Sequence, residues 1–145
     1  MAQGTPQEKK LRVEMIEALI AGANGTDDYH KSSAFTKSVF HTDSIQYVME
    51  AAQSFWLLDA IVSHLPSVIK NYGGVADFQV WKLEVSENQS AVLTCTGEYG
   101  EQSVEMARQE IPFTTFPLKS FECWVEKGSA DGVSMAYIIM LPGDR

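Results

Sequence analysis

Asp59 is the residue at which chemistry would be expected first. It stands in DSIQYVMEAAQSFWLLDAIVSHL, residues 43–65, where positions 45, 52, 56 and 63 set out one side of a helix and Asp59 falls on that side. A carboxylate on a largely buried helix must find hydrogen-bond donors, or desolvation raises its pKa. Satisfied, it is a structural anchor, the preferred reading here. Shifted, it is a general acid/base or a ligand-binding group. Trp56 and Trp81 are the aromatic residues that could line a pocket beside it, although such side chains more often belong to a core. Asp27 and Asp28 are a second pair of candidate binding carboxylates, in a polar stretch long enough to carry a contact surface.

Other reactive side chains do not converge in the sequence. His30, His41 and His64 lie in separate segments, with no HxH or HxxxH spacing, so no metal site is expected. Cys95 and Cys123 form no CxxC pair, and both fall inside strand-like runs. They are read as reduced, buried hydrophobes rather than nucleophiles. Gly73-Gly74 fits neither GxGxxG nor GxxxxGK[ST], so no phosphate loop and no cofactor are expected. The sequence nominates no catalytic residue.

The elements that position these residues divide into helices first and strands after. Thr5, Pro6 and Glu8 form a capping box with proline at the first helical position, opening a helix over 5–21. Leu11, Met15 and Leu19, with Ile16 and Ile20, give it an apolar side, and Gly22 and Asn24-Gly25 end it. Residues 26–41 read as an irregular loop, pinned to the core by Phe35, Val39 and Phe40. Asp43 and Gln46 suggest an N-cap and capping box for a central helix over 43–65, with Pro66 as its stop. Ser67–Asp77 reads as a connector with a helical turn at 67–71.

The region 78–141 reads as antiparallel strands. FQVWKLEV and AVLTCT form a hairpin around Ser86–Gln89, and runs at 103–111, 121–126 and 133–141 follow, with 142–145 frayed. The expectation is a single α+β domain over 1–145, with helices packed on one face of a four- or five-stranded antiparallel sheet.

Charge bounds the partners. Lys and Arg number 11 against 19 Asp and Glu, a net −8. Such a balance repels phosphate backbones, so direct nucleic-acid binding is disfavoured, and a protein partner with a basic surface is favoured. No apolar run approaches the ~20 residues that span a bilayer. The start, MAQGTPQEKK, has no leader-like apolar core, so a cytoplasmic protein is expected.

Several pieces occur in an order that resembles a known family. HTDSIQYVMEAAQSFWLLDAI, FQVWKLEV, AVLTC and IPFTTFPL resemble the motifs of a bacterial family of small proteins known only as a domain of unknown function, over roughly residues 35–118. His41 and Ser44 stand where that family has an aromatic residue and Gly, Phe55 where it has Tyr, and Thr115 where it has Asp. The end from Phe121 onward departs from it. The resemblance implies no reaction and no cofactor. It implies an origin in phage or other mobile elements.

The leading expectation is therefore a small acidic, non-enzymatic protein-binding protein. Its concrete version is a mobile-element inhibitor that blocks a host complex such as a nucleic-acid-binding defence system. The alternative is a small-molecule binder or enzyme with a pocket between the central helix and the sheet, built on Asp59, Trp56 and Trp81. A homodimer through the first helix or a strand edge is a third reading.

Overall fold

The computed structural model describes residues 5–33, 38–132 and 134–145. Helix α1 spans Pro6–Ala21. The Thr5 hydroxyl accepts from Glu8 N at 3.1 Å and the Glu8 carboxylate accepts from Thr5 N at 3.4 Å, the reciprocal box that the sequence predicts. Ile16 is fully buried, but Leu11 and Met15 remain more than half exposed, so only part of the expected apolar side is used.

The stretch 26–41 is not an irregular loop. Tyr29–Lys31 forms β1 and Val39–Thr42 forms β2, paired antiparallel with His30 opposite His41. Phe35, expected as a core pin, lies outside the described residues.

The central helix is two helices. Asp43–Ala52 is α2 and Phe55–Tyr72 is α3. Between them Gln53 takes the left-handed conformation at φ 52°. Gln53 N donates to Glu50 O and Ser54 N to Met49 O, closing α2 in Schellman geometry. The N-cap of α2 is Thr42 and not Asp43, since the Thr42 hydroxyl accepts from Ile45 N. Gln46 completes no capping box; its side chain turns to His41 and Glu50.

Pro66 does not end α3 but sits inside it. A proline in a helix interior costs ~3 kcal/mol. The turn beyond it buries Val68, 1% exposed, and packs Ile69 and Tyr72 on the core. Burying such side chains contributes ~1.5–3 kcal/mol each, enough to offset the proline. The segment 67–71, expected as a connector, is thus part of α3, and a short 3-10 turn, Gly73–Asp77, follows.

The rest is sheet. Strands β3 (Phe78–Val85), β4 (Ala91–Tyr99), β5 (Gln102–Ile111), β6 (Ser120–Gly128) and β7 (Ala136–Met140) join β1 and β2 in the order β1-β2-β7-β6-β3-β4-β5. The sheet has seven strands, not four or five, and it is mixed, because β2 runs parallel to β7. The β3–β4 hairpin forms as expected, with Trp81 opposite Cys95 and Leu83 opposite Leu93. The frayed tail is instead a 3-10 turn, Pro142–Asp144.

Alternation, shifted by a bulge between Cys95 and Thr96 in the β4–β5 pair, sorts the strands into two faces. Trp81, Leu83, Leu93, Cys95, Phe121, Cys123, Val125 and Ile139 point inward and share one core with Ile45, Val48 and Met49 of α2 and Leu57, Leu58, Ile61 and Leu65 of α3. The helices α2 and α3 therefore cover one face, and the α+β class stands.

Candidate functional site

The residues singled out by sequence do not converge. Asp59 lies on the exposed side of α3, so it is neither a buried anchor nor the floor of a pocket. The correction has a simple cause. The break at Gln53–Ser54 shifts the register, and positions read as one side across 43–65 no longer share a face. Trp81 is 1% exposed, and its indole N–H donates to Gln79 Oε1 at 2.8 Å. Gln79, itself buried, donates to Ala76 O at 2.8 Å and accepts weakly from the Cys95 thiol. Trp81 is thus a core anchor, while Trp56 is half-buried at the start of α3.

Cys95 of β4 and Cys123 of β6 both pair with Trp81, from the strands on either side of β3. Two strand spacings of ~4.8 Å separate them, beyond disulfide reach. Burial pushes the Cys95 thiol up to about 12 and raises Cys123 as well, so neither is a ready nucleophile.

Polar groups do converge where β1, β2 and α2 meet, among residues that sequence patterns did not join. His30 Nε2 donates to Asp43 Oδ1 at 2.7 Å. Asp43 Oδ2 accepts from the backbone N–H of Asp27 at 3.0 Å and of Asp28 at 3.4 Å. The His30 bond, then the Asp27 amide, hold the Asp43 pKa below the usual carboxylate value. Asp27 and Asp28 therefore contribute their backbone here, while their residues remain exposed.

The His30 ring stacks on His41, centroids 5.3 Å apart. His41 Nε2 lies 2.6 Å from Gln46 Oε1, an acceptor only, so Nε2 carries the proton. Nδ1 then accepts from the Ser32 hydroxyl at 2.9 Å. Burial lowers the His41 pKa, the Gln46 bond opposes that, and neighbouring His30 adds to the lowering. Beside this node, Asp144 accepts from the hydroxyls of Thr42 at 2.7 Å and Ser44 at 2.9 Å and from Leu141 N at 3.0 Å.

The node resembles a Ser–His pair in composition only. Ser32 is 8% exposed and its hydroxyl is committed to His41, so a substrate has little access to it. Its evident work is structural: it fastens β1 and β2 to the start of α2, where carboxylates are favoured by the helix dipole. Among the described residues no three His, Cys, Asp or Glu side chains are grouped to hold a metal ion. No helix among them is long and apolar enough to cross a membrane.

The face of β3–β6 turned away from the core is a different kind of surface. Its register is fixed by strand pairing. One row is Ser120, Glu84, Val92 and Glu110, and the next is Glu122, Lys82, Thr94 and Arg108. A third is Met140, Trp124, Val80 and Thr96, and a fourth includes Ile138, Glu126 and Phe78. Val80, Val92, Thr94, Thr96 and Trp124 are only half-buried, and Lys82, Glu84, Arg108 and Glu110 are exposed. Helix α1 reaches this face at its rim, where Ile20, Lys82, Glu84, Ser120, Glu122 and Pro142 line a cleft of about 370 Å³.

The outward charges are Glu84, Glu98, Glu105, Glu110, Glu122 and Glu126 against Lys82, Arg108 and Arg145. All three cations are already engaged, Lys82 with Glu122 at 3.8 Å, Arg108 with Glu105 at 2.9 Å and Arg145 with Glu126 at 3.3 Å. The chain thus presents a β-branched and aromatic patch framed by an excess of carboxylates, six against three cations. Sequence carries this signal as strand alternation, Glu and Lys against Trp and Leu, but not which strands lie side by side.

The chain belongs to the family of unknown function DUF6876, which matches residues 14–145. The match takes in the second half of α1 and, beyond residue 118, strands β6 and β7, so the likeness is not confined to 35–118. No curated protein and no solved structure matches the chain.

Proposed function

We propose that this chain is a non-enzymatic protein-binding protein that docks a basic surface of its partner on the outward face of β3–β6. The carrying observation is the composition of that face, half-exposed Val80, Thr94, Thr96 and Trp124 ringed by glutamates. A centre of β-branched and aromatic side chains supplies area to bury, and charges at the rim steer and orient the encounter. The net charge of −8 acts in the same sense at longer range.

The partner chemistry that fits is a cluster of Lys and Arg on a folded protein, as on a surface that itself holds nucleic acid. Occupying such a surface would block it, which is the inhibitor reading, carried by a mobile element and aimed at a host complex. The alternative, a pocket between helix and sheet, draws no support from an exposed Asp59 and a sequestered Trp81.

Affinity capture tests the proposal. Wild-type chain and the Glu84→Lys/Glu110→Lys variant are used as baits in lysate of the organism that carries the chain. The expected result is a protein retained by wild type at moderate salt, released as salt rises, and lost with the variant. Both substitutions fall on exposed positions, where the fold tolerates them within ~0.5 kcal/mol. Retention of nothing at moderate salt, or equal retention by both baits, overturns the proposal.

A further inference from the structure

On the outward face, one small site is already occupied by the chain itself. Phe78 lies opposite Glu126 and Val80 opposite Trp124, so Phe78 and Trp124 are diagonal neighbours on adjacent strands. Their rings meet edge to face, centroids 5.2 Å apart. The Trp124 indole N–H donates to Glu122 Oε2 at 2.9 Å, which fixes the ring. Over this pair sits the guanidinium of Arg145, 4.7 Å from the Phe78 centroid and 5.9 Å from that of Trp124. Arg145 Nε lies 3.3 Å from Glu126 Oε2.

Two aromatic faces and a carboxylate at these distances form a receptor for a planar cation. A guanidinium lays its plane on a ring and donates in that plane to a carboxylate, a geometry that the compact, strongly hydrated lysine ammonium lacks. The hold on Arg145 is partial. Its side chain is 54% exposed, and a lone exposed ion pair contributes little. What anchors the preceding turn is Asp144, through Thr42, Ser44 and Leu141 N, so the arginine could leave while the turn stays.

We infer that Phe78, Trp124 and Glu126 form an arginine-binding subsite, and that Arg145 is a resident occupant exchanged for an arginine of the partner protein. The inference rests on the proposed docking through this face and specifies one contact within it. Arg145 then acts as a competitor in cis. It keeps the aromatic pair covered in the free protein and sets a threshold for partner binding, because apparent affinity falls with the fraction of sites left open.

The test uses defined peptides. Wild type, Arg145→Ala and Glu126→Gln are titrated with a ten-residue Arg-Gly repeat and the matching Lys-Gly repeat. Binding is followed by the indole N–H resonances, with Trp56 and Trp81 as internal controls. Removing the occupant should tighten binding of the arginine peptide by about fivefold or more, with the shift confined to Trp124 and arginine preferred over lysine. Glu126→Gln should weaken it. The inference is overturned by equal affinity of wild type and Arg145→Ala, by indistinguishable arginine and lysine peptides, or by no shift at Trp124. Such a failure is separate from failure of docking itself, which is scored by capture through Glu84 and Glu110, outside this subsite.

Discussion

At the scale of the residue, His41 is a group whose protonation the fold constrains. Its burial keeps it neutral, with Nε2–H on Gln46 and Nδ1 receiving Ser32. Because the folded pKa lies below the ordinary histidine value of 6.5, the unfolded chain binds the proton first as pH falls. The stability contributed is fully present above about pH 6.5 and is lost as pH falls toward the folded pKa. Asp43 follows the same sign at lower pH: its contribution is present above the ordinary aspartate value of 3.8 and is lost in stronger acid.

Thermal melts from about pH 8 to about pH 5 should therefore show a falling Tm, and His41→Gln should flatten that slope. An unchanged slope in the variant would place the titration elsewhere. None of this node could be read from sequence. His30 and His41 meet only through the register of a two-strand pair whose polar composition resembles a loop, and Asp144 reaches neighbouring Thr42 and Ser44 from the far end of the chain. Asp59 misled for the opposite reason: a helical periodicity was extended across a break.

At the scale of the element, that break is set by two residues. Gln53 adopts a conformation that L-residues enter at a cost of ~1–2 kcal/mol, and Ser54 is buried where the chain turns into α3. Gln53→Gly should stabilise the protein by about 0.5 kcal/mol, since relief of strain exceeds the added chain entropy; chemical denaturation measures it, and a loss of stability would mean that the Gln53 side chain has a role the turn does not explain. Gly97 makes the converse case. A Cβ there would stand 2.8 Å from Met106 Cε, 2.9 Å from Val75 Cγ1 and 3.0 Å from Val75 O. Gly97→Ala should cost about 1–3 kcal/mol, because the backbone of the 3-10 turn cannot yield as the methionine tip can.

Elements defined by local chemistry were legible. The Thr5–Glu8 box starts α1, and the FQVWKLEV and AVLTC alternation yields the β3–β4 hairpin. Elements defined by distant partners were not. Strand β2 gains its place from β7, nearly a hundred residues away, and α3 continues through Pro66 because Val68 has a core to enter.

At the scale of the whole molecule, helices α2 and α3 bury one side of a mixed sheet, and the outward face of β3–β6 stays partly open to solvent. That division turns a diffuse net charge into a directed one, since Glu84, Glu98, Glu105, Glu110, Glu122 and Glu126 all fall on the uncovered side. Composition alone predicts an acidic protein, and only strand order gathers these carboxylates round Trp124 and Val80.

The central claim is that this face binds a basic protein. The most direct test is the affinity of the captured partner for wild type and for Glu84→Lys/Glu110→Lys, measured calorimetrically at low and high salt. Charge reversal should weaken binding by at least about tenfold at low salt and make it less sensitive to added salt. Equal affinities, with equal dependence on salt, would contradict it.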